Sequence, residues 1–266
     1  MKRLPIFLVI CLLFTSLVLQ ASADNRIAYE KRFIRGVAVN IITANLNDSG
    51  VQVSPAVARR GIGFREGFGS MLSRLKPAAA ITGTYACTRS FIPVGHIVID
   101  GKRINSGEVG TIVAFRIDKK VEFIPLKESS RINWSYCPYA ISTGPRLVTY
   151  GVAGVYPRNE GFRDPALYRK ARRSALGVTK ANKLLLVTVG KPVYLRKLAA
   201  IMRDLGAYHA VNLDGGSSTA LNFKGRSICH PSRPMTNLLV VYESPIQFQN
   251  MKGKLAPTLI RMGSIK

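Results

Sequence analysis

The segment from Ala210 to Leu221 holds the residues of this chain best suited to chemistry. Its first half, Ala210 to Asp214, reads as a buried strand. Side chains alternate on a strand, so Val211 and Leu213 share one side while Asn212 and Asp214 share the other, which brings an amide and a carboxylate together at the strand's end. Gly215 and Gly216 follow, free to approach a ligand closely or to take positive φ, and then the hydroxyls of Ser217, Ser218 and Thr219. A polar cluster at the mouth of an apolar strand suits a binding or catalytic site. The same composition also suits a turn capped by Asp214.

The elements that must position this cluster are mostly strands. Val37 to Thr43, Val51 to Ala58, Ala78 to Ile81, Ile97 to Ile99, Gly110 to Ile117 and Val121 to Pro125 are short apolar or alternating runs. Turn signals such as Asp100-Gly101 separate them. Phe68 to Leu75 predicts a short helix ahead of Pro77. A longer one begins at Leu195, with Leu198, Ala199, Met202 and Leu205 on one face and Gly206 at its end. Between the run Lys183 to Gly190 and the run Ala210 to Asp214, that helix makes a strand–helix–strand unit. Asn237 to Tyr242 is the last expected strand. With no Pro-, Gly- or Ser-rich linker to divide it, the chain reads as one α+β domain, a mixed, twisted, multi-stranded sheet with a few packed helices.

The boundaries expected are a signal peptide over 1–23, an N-terminal segment over 24–36, the domain over 37–243 and a tail over 244–266. Lys2 and Arg3 precede an apolar run from Leu4 to Leu19, and Ala21-Ser22-Ala23 supplies a cleavage site. An exported, periplasmic or extracellular protein of bacterial type is therefore expected. The 266 residues carry 39 Lys+Arg against 14 Asp+Glu, a formal charge of +25. Removing 1–23 takes away only Lys2 and Arg3, so the charge belongs to the domain. At 47% hydrophobic the chain is too apolar for a disordered basic tail. Charge alone suggests nucleic acid, but export and the lack of any aromatic RNA-binding signature or zinc-finger spacing argue against a specific nucleic-acid partner.

Cys87, Cys137 and Cys229 remain after the leader, enough for one disulfide whose pairing spacing cannot choose, and a buried structural role is expected of each. His96, His209 and His230 show no metal-binding spacing. No cofactor is expected, with a divalent cation left open. His209 should face the side opposite Asp214. Asp100-Gly101 reads as a hairpin turn, and Trp134 as a core or loop anchor.

Asn212-Leu213-Asp214-Gly215-Gly216-Ser217-Ser218-Thr219 resembles the N-L-D-G-G-G-S motif of the phosphodiester glycosidase family. Further matches follow in order: Ala80-Ile81-Thr82-Gly83-Thr84-Tyr85, Pro93-Val94-Gly95-His96, Gly144-Pro145-Arg146-Leu147-Val148, Arg173-Ser174-Ala175-Leu176-Gly177, and Ser232-Arg233-Pro234-Met235-Thr236-Asn237. Several ordered motifs are far more specific than one. Thr82, Thr84 and Ser217 depart from the family's Asn and two of its glycines.

The resemblance implies a hydrolase that splits a sugar-1-phosphodiester in an envelope or extracellular glycan. Such chemistry needs a carboxylate near the anomeric carbon and cationic or N–H donors on the phosphate. Asp214 is the expected carboxylate, as nucleophile or as base. Arg173 is expected on the phosphate, although Arg169, Lys170, Arg172 and Arg173 also read as a solvated charge run. Asn212, Gly215, Gly216, Ser217, Thr82, Gly83 and His96 are expected to position substrate. Arg233 either joins them or holds the final strand. The alternative is a non-catalytic envelope protein binding an anionic polysaccharide in the same cleft. Expected partners are a phosphate-containing or anionic glycan and, peripherally, an anionic membrane surface, with oligomeric state open.

Overall fold

The computed structural model describes residues 26–257. The expected signal peptide lies outside them. In chain order the elements are β1 (Ile27–Ile34), β2 (Val37–Asn45), β3 (Gln52–Val57), α1 (Phe68–Leu75), β4 (Ala79–Thr82), β5 (Ile97–Ile99) and β6 (Lys102–Asn105). Next come β7 (Thr111–Phe115), β8 (Val121–Pro125), β9 (Tyr139–Thr143), β10 (Arg146–Thr149), β11 (Val152–Ala153), β12 (Ala171–Thr179) and β13 (Lys183–Val193). The chain ends with α2 (Leu195–Asp204), β14 (Ala207–Asn212), β15 (Leu221–Phe223), β16 (Arg226–Cys229), β17 (Asn237–Tyr242) and α3 (Pro245–Leu255).

The α+β class holds, but the strands divide among three sheets and every named strand pair is antiparallel. The first sheet runs β1-β2-β13-β12-β14-β10-β11, the second β16-β15-β4-β17-β3, and the third β6-β5-β9-β7-β8. Their apolar faces meet in one core that includes Ile42, Ile81, Ile141, Leu176, Val211, Leu213 and Leu239. On the other face of the first sheet, α2 lays Leu198, Ala199 and Met202 against Ala175, Val187 and Ala210. A third cluster behind β5, β7 and β9 takes Val98, Ala114 and Cys137, with Trp134 packed against it as an anchor.

The strand–helix–strand unit is present, with one strand inserted. Both β13 and β14 pair antiparallel with β12, so they run parallel to each other on its two sides. In α1, Phe68, Met71 and Leu75 bury one stripe, and the helix stops at Lys76, whose φ of +47° sends its N–H back to the Leu72 carbonyl. Asp100 and Gly101, at φ +53° and +72°, form the expected tight turn between β5 and β6.

Two stretches that the sequence reading set apart from the domain carry ordered elements. β1 pairs along its whole length with β2, from Ile27↔Ala44 to Ile34↔Val37. Its centre, Glu30-Lys31-Arg32, is exposed, which suits a charged edge strand and hides the alternation a strand is usually read from. α3 starts at the Ser244 cap, whose hydroxyl accepts from the Gln247 N–H, and buries Phe248 and Leu255 in the main core.

Candidate active site

β14 delivers the motif to a junction between two sheets. Beyond its last residue, Leu213 N–H donates to the Ser174 carbonyl on β12 at 2.9 Å, and Asp214 N–H donates to the Gly83 carbonyl, just past β4, at 3.0 Å. Gly83 is needed there, because a Cβ would collide with the Asn237 amide oxygen. Gly215 is needed too, since its Cβ would stand 2.7 Å from the Arg172 carbonyl oxygen. Gly216, at φ +58°, turns the chain into the short 3-10 turn Gly216–Ser218.

Asp214 thereby enters a narrow cavity that it lines with Thr82, Thr84, Ser218, Arg233 and Asn237. Arg65, Cys87 and Phe91 also line it. One Asp214 oxygen accepts from its neighbour's backbone, Gly215 N–H, at 2.8 Å, and the other from Arg233 Nη2 at 2.9 Å. The Ser218 hydroxyl also bonds to the carboxylate, and Arg233 Nε donates to Ser218 Oγ at 2.6 Å. Burial raises the Asp214 pKa above the ordinary carboxylate value; Ser218, Arg233 and Gly215 oppose it without cancelling it. The result is a largely buried carboxylate whose neutral form is favoured more than in water.

A side-chain clamp holds the facing wall. Asn237, first residue of β17 and buried, accepts the Thr84 N–H at 2.8 Å and donates from Nδ2 to the Thr84 carbonyl at 3.1 Å. Gly83 N–H donates to the Asn237 carbonyl at 3.3 Å. The segment after β4 is thus pinned to β17, and Thr84 Oγ1, itself buried, has no hydrogen-bond partner among the described residues.

The structure brings together Asp214, Thr82, Gly83, Gly215, Gly216 and Arg233 from the expected set. Arg233 faces Asp214 directly. Arg173 is a correction: it is buried, and its guanidinium is spent on backbone carbonyls. Nε donates to Val193 at 3.2 Å, and Nη2 donates to Leu167 at 3.2 Å and to Arg169 at 2.6 Å. The reason is strand parity. Arg173 shares the face of Ala175, which packs toward α2, so it pins the 167–169 turn and does not line the Asp214 cavity. Burial lowers its pKa.

Asn212 is also set behind the cavity. It pairs with Ala175 across the ladder, and its Nδ2 donates to the Tyr85 hydroxyl and to the Leu213 carbonyl. Tyr85 in turn donates to the Gly144 carbonyl at 2.7 Å. Burial, then the nearby Asp214 charge, raises the Tyr85 pKa, keeping it a neutral donor. Ser217 points to solvent, and its neighbour Ser218 supplies the hydroxyl; the turn shifts the register by one residue. His96 is buried away from the cavity, with Nδ1 accepting the Gly107 N–H at 2.9 Å and burial lowering its pKa. His209 stacks on Phe123 and meets Tyr150 and Tyr208 edge-on, a structural role.

All three described cysteines are free. Cys137 and Cys229 are buried as expected, but Cys87 is exposed at the cavity. Sequence reasoning missed Ser218, Asn237 and Cys87 as lining residues. The Thr236-Asn237 end of the Ser232–Asn237 motif was the available signal for Asn237. A wider hollow of about 570 Å³ lies beyond Gly144, where Glu160 accepts from Thr111 Oγ1 and Arg146 N–H. Among the described residues no group of three or more His, Cys, Asp or Glu could hold a metal ion.

A cyanobacterial protein of Synechocystis shares the fold at TM-score 0.70 and 17% identity, covering 81% of this chain; the chain spans about 62% of that protein's length. The zebrafish N-acetylglucosamine-1-phosphodiester alpha-N-acetylglucosaminidase catalytic domain, auto-inhibited by its pro-peptide, is 19% identical at TM-score 0.66, with 84% and 85% of the two chains covered. A Burkholderia pseudomallei protein described as exported is 14% identical at TM-score 0.61, with 77% and 74% covered. No curated protein sequence matches the chain. The phosphodiester glycosidase family model matches residues 76–242, a span that contains Asp214, Arg233 and Asn237 and more than half of the chain. This chain belongs to the phosphodiester glycosidase family.

Proposed function

We propose that the chain is an exported hydrolase that cleaves a sugar-1-phosphodiester in an envelope or extracellular glycan. One observation carries the reading: Asp214 is the only carboxylate among the residues lining its cavity, and two arginines line it too. Most glycosidases need a second carboxyl group to protonate the leaving oxygen. From a sugar-1-phosphodiester the phosphate monoester leaves as a stabilised anion without that proton, so one carboxylate with cationic support suffices.

In this mechanism Asp214 takes a proton from water as the water oxygen bonds to the anomeric carbon. The carbon–oxygen bond to phosphate breaks, and its electron pair stays with the phosphate oxygen. Arg233 holds Asp214 in place and, with Arg65, offers positive charge to the departing phosphate. Thr82, Ser218 and the Gly215–Gly216 backbone position the sugar. Arg173 supports the 167–169 turn in place of the phosphate role first expected of it.

A chromogenic sugar-1-phosphodiester tests this. Turnover by the purified chain that falls about 10²–10⁴-fold in Asp214→Asn supports the enzyme. Saturable binding with no turnover supports the second reading, a non-catalytic protein that holds an anionic polysaccharide. Thr82 favours that second reading, since a hydroxyl replaces the donor-plus-acceptor amide of the family motif.

A further inference from the structure

Cys87 differs from the other two described cysteines in exposure, and from Cys137 in acidity as well. It is exposed, whereas Cys137 and Cys229 are buried. The Ser90 hydroxyl and the backbone N–H groups of Ser90 and Arg89 donate to its sulfur, bringing its pKa down to about 7, whereas burial pushes the Cys137 thiol up. Its surroundings point to a ligand independently of the sulfur. Thr84, a residue 2% exposed whose Oγ1 has no hydrogen-bond partner among the described residues, lines the same cavity. Arg65 lines it as well, its guanidinium lying 4.0 Å over the Phe91 ring and making no ion pair among the described residues.

We propose that Cys87 is a covalent modification site, capped by thiol–disulfide exchange with an anionic disulfide that Arg65 orients at the mouth of the Asp214 cavity. The Cys87 sulfur attacks one sulfur of the disulfide. A new S–S bond forms, the old one breaks, and the other half departs as a thiolate with the bonding electron pair. Cys87 is oxidised and the departing half reduced; excess thiol reverses the step. Since Cys87 and Asp214 line one cavity, the cap fills the approach to the carboxylate.

The test uses the full chain with dianionic dithiobis(nitrobenzoate) and neutral dithiodipyridine near pH 7, each rate divided by that of free cysteine. Peptide masses locate the cap, and no turnover assay is involved, so the result stands apart from the hydrolase reading. About 15-fold more thiolate than free cysteine, offset by weaker intrinsic nucleophilicity, gives a normalised rate of about threefold with the neutral reagent. The dianion gains a further factor of about 2–5 from an exposed charge contact. Arg65→Gln, an exposed site that leaves the core intact, removes that factor, and Cys87→Ser abolishes capping. Capping of Cys137 or Cys229 at the rate of Cys87, or a dianion preference unchanged in Arg65→Gln, overturns the proposal.

Discussion

Arg233→Ala tests whether Asp214 is held as a buried charge by one arginine. The substitution removes the 2.9 Å contact to Asp214 and the 2.6 Å bond to Ser218. The Ser218 bond is independent of pH and is worth about 0.5–1 kcal/mol. Stranding a buried charge costs about 3–5 kcal/mol, but the Arg233 side chain is 36% exposed and water replaces part of it, which reduces this loss to about 1–2 kcal/mol. The sign follows from linkage. Asp214 is raised in the folded state, so ionising it opposes folding as pH rises through its folded value, and losing Arg233 raises that value further. Below the wild-type folded value Asp214 is protonated in both proteins, and only the Ser218 loss remains. Urea unfolding should therefore give a penalty of about 0.5–1 kcal/mol at a pH below the folded Asp214 value and about 1.5–3 kcal/mol near pH 8. The acid limb of turnover should move to higher pH in the same variant. A penalty equal at the two pH values, or larger in acid, refutes the reasoning.

Asn237→Ala leaves the buried N–H and carbonyl of Thr84 unpaired, at a cost of about 3 kcal/mol or a Tm lower by roughly 6–12 °C, measurable by calorimetry. Gly83→Ala alone should also destabilise, but its cost should shrink in the Asn237→Ala background, because the added Cβ collides chiefly with the Asn237 amide. Additive Tm losses in that double-mutant cycle would contradict the packing described. Gly215→Ala places a methyl 2.7 Å from the Arg172 carbonyl, and should cost about 1–3 kcal/mol in thermal unfolding while displacing Asp214 and cutting turnover more than substrate binding.

What the sequence made legible is what local pattern controls. The spacing of Phe68, Met71 and Leu75 marks α1, and the run from Leu195 marks α2 to within a residue of its observed end. Alternation correctly separates Val211 and Leu213, both in the main core, from Asn212. It says less one step later. Asn212 and Asp214 share a nominal parity, yet β14 stops at Asn212 and Asp214 N–H leaves the sheet for the Gly83 carbonyl, so the two side chains bond to different partners, Tyr85 and Arg233. The choice between Arg173 and Arg233 was not legible for a related reason. Both stand in motif segments, and only the pairing of β12 with β13 and β14 fixes which face Arg173 takes. The Thr84–Asn237 clamp spans 153 residues, beyond any periodicity.

The charge excess sharpens the role of the cavity cations. Ten of the 14 acidic residues, Asp214 among them, make ion pairs; among the described residues Glu108, Glu160 and Asp164 make none. With 39 basic residues, most cations have no carboxylate to neutralise them, and the net field around the chain is positive. Such a field decays over a Debye length of about 8 Å at physiological salt and cannot distinguish one phosphate from another. Selectivity has to come from cations fixed by geometry. Arg233 is fixed by Ser218 and Asp214, and Arg65 by its stack on Phe91, whereas Arg173 is fixed just as firmly but on backbone carbonyls. Being an arginine in a family motif is therefore not enough to meet an anion. Strand parity decides which guanidinium faces the carboxylate and which one holds the scaffold that presents it.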